Sequence, residues 1–341
     1  MANRCISLIS RSAASVDWCL SKRGSTQLIA EHPMLDLLHH PNSMQGGAEF
    51  FEALYAYKLT SGNAYILAVR NSAGVVRELY LLRPDRVEVV PGQSNIPKKY
   101  IYKVDEREIN YPVDQVTGYS DVLHLKNFNP SDDWLGLSQV ESASYSIDIH
   151  NQASAWNKAL LENGARPTGA MIVKSHNNSP GYLSDDQFKR LVDQLEGKFM
   201  GSNNAGRPFV LEGGLEWKEM GYSPKDMDFV ETKNTASREI ALAFGIPPQL
   251  LGIQGDSTYN NMQEARLAFW EETVLPLIDC TIDSLNNWFI HLFGNEVRLS
   301  YNANNISALS LKQDRIWQRI NSASFMTDEE KRSALGLITK S

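Results

Sequence analysis

Residues 238–278, REIALAFGIPPQLLGIQGDSTYNNMQEARLAFWEETVLPLI, combine a firm helix stop with an immediate helix restart. Gly245 can adopt positive φ at a helix C-terminus, and Pro247 pushes the residue before it out of the helical region. Pro248 has no backbone N–H to donate, so the first helix is predicted to end here. A short polar loop without lysine or arginine follows. No residue of the loop suggests a catalytic group, so its placement between two helices is what needs an explanation.

The helix after this loop is predicted to run from about Tyr259 to Phe293, about 35 residues or roughly 50 Å. Pro276 lies inside it. A proline in a helix removes one backbone hydrogen bond and clashes with the preceding turn, so we expect a kink at this position.

The rest of the chain mixes helical and extended patterns. The stretch NAYILAVRNSAGVVRELYLLRPDRVEVVPG predicts two or three short strands, and the first 130 residues are expected to hold a modest antiparallel sheet. A long amphipathic helix is predicted from apolar residues at helical spacing, Tyr145, Ile149, Ala153, Trp156 and Leu160. The sequence SDDQ at 184–187 is a capping box that opens another helix. The predicted fold class is therefore α+β.

Charge and composition limit the function classes. The 341 residues carry a net charge of −7, and a protein that grips DNA by its phosphates is usually basic. We therefore expect no tight grip on DNA, which still allows DNA to slide past. Three cysteines without metal-ligand spacing are typical of a reducing compartment. No apolar run is long enough to predict a membrane span.

A search for catalytic and metal-binding patterns finds none. The seven histidines include one adjacent pair, His39 and His40, whose side chains would diverge on a helix. No G-x-S-x-G, Walker A or G-x-G-x-x-G motif occurs. The acidic pair Asp185–Asp186 is better explained by a helix N-terminus, where negative charge is favourable. We predict no catalytic residues, no cofactor and no metal.

The order of these elements resembles the portal proteins of tailed phages, of the Hong Kong 97 type, including prophage and gene-transfer-agent members. The block FVLEGGLEWKEMGYSPKDMDFVETKNTASREIALAFGIPPQLLG (209–252) carries the most specific likeness. The other matching motifs, in chain order, are HPMLDLLHHPN with EFFEALYAYKLTSGNAYILAVR, LYLLRPDRVEVV, VLHLKNFNPSDDWLGLSQVESA, NGARPTGAMIV and FMTDEEKRSALGL. Members usually have more residues at both ends, so we expect a trimmed or short member with a small crown.

The resemblance implies a portal fold with an α+β wing, a two-helix stem, a small β-containing clip and a long kinked helix. The implied parts are the wing at 1–182, stem helix 1 at 183–199, the clip at 200–226, stem helix 2 at 227–246, the tunnel loop at 247–260, the long kinked helix returning to the wing at 261–304, and short crown or C-terminal helices at 305–341.

The resemblance also assigns candidate sites. The helix stop and kink consist of Gly245, Pro247, Pro248 and Pro276. The tunnel-loop residues expected to face DNA are Gln254, Gly255, Asp256, Ser257, Thr258, Tyr259 and Asn260; apart from the resemblance, a polar loop of this kind between two helices is usually a surface turn. The clip residues expected to dock partners are Phe209, Glu212, Trp217 and Lys218, although Phe209 and Trp217 would equally well fill a small core of the clip itself. The stem residues expected at a subunit interface are Lys189, Arg190, Asp193 and Glu196, although intrahelical pairs on a solvated face explain their charges equally well.

The function implied is a ring, usually of twelve subunits, at a unique capsid vertex. Double-stranded DNA enters and leaves through it without sequence-specific contacts. The implied partners are other copies of the chain, the terminase large subunit, a head–tail adaptor, the major capsid protein and scaffold, with no membrane, and the implied location is the virion after assembly in the host cytoplasm. Two alternatives stay open: another virion or head–tail joining protein without a DNA channel, and a hydrolase or peptidase of capsid maturation.

Overall fold

The computed structural model describes residues 1–25, 28–92, 95–162, 169–173, 183–199, 215–219, 229–253, 259–323, 325–328 and 330–331. The chain divides into two compact units. Unit 1 combines Met1–Ser144 with Ile240–Ser341, and unit 2 is Tyr145–Glu239. Within the described ranges, no helix is both long and apolar enough to cross a membrane.

The elements of the first part of unit 1, in chain order, are α1 (Ala2–Ala14), β1 (Trp18–Lys22), β2 (Leu28–Ile29), α2 (Pro33–His39), α3 (Gly47–Ser61), β3 (Asn63–Arg70), β4 (Val76–Leu82), β5 (Val87–Val90), β6 (Lys99–Val104), β7 (Arg107–Pro112), β8 (Val122–Lys126) and α4 (Gln139–Ser142).

The following elements are α5 (Ser144–Glu162), β9 (Gly169–Val173), α6 (Asp185–Phe199), β10 (Leu215–Glu219), α7 (Phe229–Ala243), α8 (Tyr259–Ala268), α9 (Leu275–Phe293), β11 (Val297–Tyr301) and α10 (Ser310–Ser322). A 3-10 helix, Pro248–Leu251, lies between α7 and α8, and a π-helical segment, Phe269–Val274, joins α8 to α9.

The core of unit 1 is formed by helices from both ends of the chain. The inner face of α1 consists of Cys5, Ile9 and Ala13, which lie four residues apart and are fully buried. Helix α3 packs against α1 and contributes the buried Phe50 and Leu54. Helix α9 also contacts α1, so a segment nearly 280 residues further along the chain completes this core.

Unit 1 also contains three antiparallel sheets, with strand orders β4-β3-β8, β5-β6-β7 and β11-β1-β2. The last of these joins the two ends of unit 1, because Leu20 of β1 lies opposite Leu299 of β11. Asn286 of α9 anchors the same strand through hydrogen bonds to the backbone N–H and carbonyl of Leu299, at 2.8 and 3.0 Å. The N- and C-terminal segments therefore fold as one body.

Unit 2 contains most of α5, all of α6 and the two-stranded antiparallel sheet of β9 and β10. In this sheet Met171 lies opposite Trp217. The capping box predicted at the start of α6 is present: the Gln187 N–H donates to the Ser184 hydroxyl, and the Ser184 N–H donates to the Gln187 side chain. The predicted helix α5 is also present, but Tyr145 and Trp156 of its apolar stripe are 78% and 50% exposed.

The mixed helical and antiparallel architecture confirms the predicted α+β class. The units meet after Ser144, within the stretch for which the resemblance implies a continuous wing, and again after Glu239, within α7. The partition into wing, stem, clip and crown stays a prediction.

Candidate tunnel loop and its supports

The stop at the end of α7 is built from backbone hydrogen bonds. Gly245 has the positive φ expected for it, +67°. Its N–H donates to the Leu242 carbonyl at 2.9 Å, and the Ile246 N–H reaches back to the Ala241 carbonyl at 2.9 Å. This left-handed capping pattern satisfies carbonyls that a helix end leaves without partners.

The position of Gly245 is also sterically restricted. A Cβ atom placed on it would lie 2.8 Å from the Thr273 hydroxyl oxygen. That hydroxyl donates a hydrogen bond to the Gly245 carbonyl. A residue 28 positions away therefore fixes the turn, and only glycine fits both the dihedral angle and the close contact.

The predicted long helix is two α-helices joined by the π-helical segment Phe269–Val274, which carries Thr273. Pro276 lies in the first turn of α9, directly after this segment. Because proline cannot donate to the carbonyl one turn before it, the backbone there requires a local rearrangement, and a π-helical turn provides one. Phe269 and Val274, at the two ends of the segment, are buried and hold it against the core of unit 1.

The candidate tunnel loop, 247–260, begins with a well-packed segment. The 3-10 helix Pro248–Leu251 begins with a proline, ends at Gly252 with φ of +71°, and is flanked by the buried Ile246 and Ile253. Two residues expected in the loop, Tyr259 and Asn260, belong instead to the first turn of α8. The other five, Gln254, Gly255, Asp256, Ser257 and Thr258, lie outside the described residues.

The expected stem residues lie on α6. Lys189, Arg190 and Asp193 are exposed, and no ion pair within the described chain involves any of the three. The side chain of Glu196 lies outside the description. Phe188, on the same helix, is 58% exposed. Helix α6 thus presents both charged and apolar side chains to solvent in the isolated chain.

The expected clip residues are only partly described. Lys218 is exposed on β10, which also contains Trp217, whose side chain lies outside the description. Phe209 and Glu212 lie outside the described residues. The structure therefore places one strand of this segment, paired with β9, and the docking role stays a prediction.

One strongly shifted titratable group among the described residues is His124 of β8. Burial lowers the pKa of His124 to about 3. Its ring stacks on Tyr65 with centroids 4.3 Å apart, and its Nε2 lies 2.9 Å from the Asn63 side-chain oxygen. That oxygen also accepts the Gly136 N–H at 2.8 Å, so Nε2 must carry a proton and donate. His124 is thus a neutral structural donor.

Burial also lowers the pKa of Lys58 in α3 and raises that of Tyr55 on the same helix. Both side chains lie in the core of unit 1. Among the described residues, no group of three histidine, cysteine, aspartate or glutamate side chains could hold a metal ion.

Sequence reasoning missed two features. Thr273 gave no local signal, because its role depends on contact with Gly245 across a loop. A cavity in unit 1, which both Arg4 and Arg266 line, also gave no local signal in the sequence. Residues that far apart in sequence show no periodicity or spacing from which the contact could be read.

Comparison with known proteins places this geometry in a family. A family model described as phage portal protein matches residues 1–336. An uncharacterized protein of Rickettsia bellii is 51% identical over 334 residues, covering 98% of this chain and 85% of the relative. The portal protein of Enterobacteria phage HK97 is 26% identical over 299 residues, covering 84% and 66% of the two chains.

Solved structures agree with the sequence matches. A chain in the neck of a native gene transfer agent particle, computed with C12 symmetry, superposes with a TM-score of 0.74 at 44% identity, covering 98% of this chain and 89% of the other. An HK97-family phage portal protein from Corynebacterium diphtheriae has the same fold, with a TM-score of 0.63, 16% identity, and coverage of 91% and 93%. The chain, matched over nearly its whole length, belongs to the phage portal protein family.

Proposed function

We propose that this protein is a portal, or connector, that closes into a ring of twelve copies at a unique vertex of a capsid and conducts double-stranded DNA through its centre. The observation that carries the proposal is the 44% identity, over 98% of this chain, to a subunit of a gene transfer agent neck with C12 symmetry. A related neck was computed with C6 symmetry, which a twelve-membered ring also satisfies.

The tunnel loop is the proposed contact with DNA. The helix stop at Gly245 and the buried Ile246 and Ile253 fix the chain immediately before residues 254–258, which supports this proposal. Residues 254–258, with sequence QGDST, contain no cation. A ring of cationic contacts would bind phosphates tightly and displace counterions at each step along DNA, whereas a neutral or acidic lining lets the duplex slide.

The charge balance of the expected stem and clip agrees with this proposal. Residues 183–245 contain 8 lysines and arginines and 11 aspartates and glutamates, a net charge of −3. An acidic surface repels the phosphate backbone, so a channel lined by this segment would guide DNA without holding it.

Ring closure requires two different complementary faces on each subunit. The isolated chain exposes large apolar side chains at several places, among them Phe188 in α6 and Tyr145 in α5. Exposed aromatic residues are common at protein interfaces, and they support contact with other subunits or with docking proteins. Lys189, Arg190, Asp193 and the clip residue Lys218 are proposed to contribute to these contacts.

The proposed partners are the terminase large subunit, a head–tail adaptor, the major capsid protein and scaffold. The proposed location is the portal vertex of a virion or gene transfer particle, assembled in the host cytoplasm. We propose no catalytic activity. His124, whose pKa is strongly lowered, serves as a structural hydrogen-bond donor to Asn63, which supports a non-enzymatic role.

A photocrosslinking experiment tests the channel. A benzophenone amino acid is placed at Ser257 in the tunnel loop, and at Val116 as a matched control that is 92% exposed in unit 1. DNA-filled particles assembled with each variant are irradiated, and DNA attached to the portal chain is quantified. We expect attachment from position 257 and none from position 116. Equal attachment from both, or none from 257 in filled particles, contradicts the channel assignment.

A further inference from the structure

A cavity of about 650 Å³ lies within unit 1, between α1, the start of the long helix and the segment before α10. Its walls are formed by Arg4 and Ser12 of α1, by Arg266 of α8 and by Trp270 of the π-helical segment. A cavity of this volume is in the range that binds small molecules and cofactors.

The charge of the cavity is unusual for an acidic chain. Two guanidinium groups, those of Arg4 and Arg266, line it, and none of the described lining residues is acidic. Neither arginine forms an ion pair within the described part of the chain, whereas Arg11 and Arg70 each pair with a carboxylate. Glu271, next in sequence to Trp270, is paired with Lys312. The cavity therefore carries an uncompensated charge of about +2.

The remaining polar lining groups are hydrogen-bond donors. The hydroxyls of Ser12, Ser307 and Ser310 and the side-chain amide of Gln263 line the cavity. In the described residues none of these four side chains takes part in a hydrogen bond with the protein. The two guanidinium groups and three hydroxyls offer more hydrogen-bond donors than the two oxygens of a carboxylate can accept. A phosphate monoester, with three terminal oxygens and a charge of about −2, matches this set of donors better.

We propose that this cavity binds the phosphate monoester of a mononucleotide. Arg4 and Arg266 hold the dianionic phosphate, the serine hydroxyls complete its hydrogen bonds, and Trp270 provides an aromatic surface for the base. Stacking on an aromatic side chain tolerates any base, so the site selects for the phosphate rather than for base identity. The volume admits one nucleotide, and the lining also includes Leu250 of the 3-10 helix that precedes the candidate tunnel-loop residues 254–258.

Two sources share this chemistry: a free nucleotide and the 5′-phosphorylated end of a DNA strand. Isothermal titration of the purified full-length chain uses AMP, inorganic phosphate, adenosine and a short single-stranded oligonucleotide with and without a 5′ phosphate. We expect AMP to bind at least about tenfold more tightly than adenosine, because adenosine lacks the charge-assisted hydrogen bonds. If the oligonucleotide binds only when it carries a 5′ phosphate, a DNA strand end is a ligand of the site. If AMP binds and neither oligonucleotide does, the ligand is the free nucleotide.

Matched variants localise the binding. Arg266→Gln is expected to weaken AMP binding at least about tenfold, whereas Arg107→Gln, which removes an exposed arginine of β7 outside the cavity lining, leaves it unchanged. Trp270→Leu is expected to weaken AMP binding without changing that of inorganic phosphate, with thermal melting as the check on folding. Equal affinity for AMP and adenosine, no binding of AMP, or an equal loss in both arginine variants overturns the proposal. The site lies within one chain, so its failure leaves the ring proposal unaffected.

Discussion

Substitution of Gly245 by alanine tests how the helix stop is built. Placing an L-residue in the left-handed backbone region lowers the free energy of unfolding by about 1–2 kcal/mol. Alanine in place of glycine also reduces the conformational entropy of the unfolded chain, which raises the free energy of unfolding by about 0.4–1 kcal/mol. The new Cβ would also lie 2.8 Å from the Thr273 hydroxyl and displace it from its hydrogen bond, which costs about 1 kcal/mol more. We expect the free energy of unfolding to fall by about 2 kcal/mol in Gly245→Ala.

Gly252→Ala is the matched control. Gly252 has a similar φ of +71°, but nothing lies within 4 Å of the Cβ it would gain, so only the backbone term of about 1 kcal/mol applies. Urea unfolding followed by tryptophan fluorescence measures both variants. The Thr273→Ala background removes the clashing hydroxyl, so there Gly245→Ala should also cost about 1 kcal/mol. A cost no larger than that of Gly252→Ala, or one that Thr273→Ala leaves unchanged, refutes this account of the turn.

Two further predictions concern the buried hydrogen bonds beside the β3 sheet. Asn63→Ala removes the acceptor that the Gly136 N–H and His124 share, and it should lower the free energy of unfolding by about 2–3 kcal/mol. The control Asn110→Ala removes a surface hydrogen bond and should cost less than about 1 kcal/mol. Urea unfolding measures both variants. The pKa of His124 is about 3 when folded and about 6.5 when unfolded, so the unfolded chain binds the extra proton. Stability from this group is therefore present above pH 6.5 and is lost as pH falls toward 3, by at most about 1.4 kcal/mol per pH unit. His124→Gln should flatten the pH dependence of unfolding between pH 6 and 4 relative to His39→Gln, and an unchanged slope would contradict the assignment.

Local signals in the sequence predicted the helix boundaries that depend on neighbouring residues. Gly245 followed by two prolines predicted the end of α7, and Ser184 with Gln187 predicted the start of α6, because capping involves residues within one turn. The helix irregularity expected near Pro276 is the π-helical segment, which lies just before this proline. It precedes Pro276 because a proline affects the backbone of the preceding helical turn.

Contacts between distant segments could not be predicted in this way. The pairing of β1 with β11 joins residues about 280 positions apart, and no periodicity specifies that partner. The apolar spacing of Tyr145 and Trp156 predicted a helix correctly, but spacing shows which side of a helix is apolar and not what covers it. The cavity between Arg4 and Arg266 required the packing of α1 beside α8 and was therefore absent from the predicted sites.

The central claim is that this chain closes into a ring around a channel. The most direct measurement is electron microscopy of the purified protein combined with its mass in solution by light scattering. We predict rings with a central opening and a mass of about 460 kDa, twelve times the 38.3 kDa of one chain. A stable small oligomer without an opening would contradict the account and favour a joining protein that lacks a DNA channel.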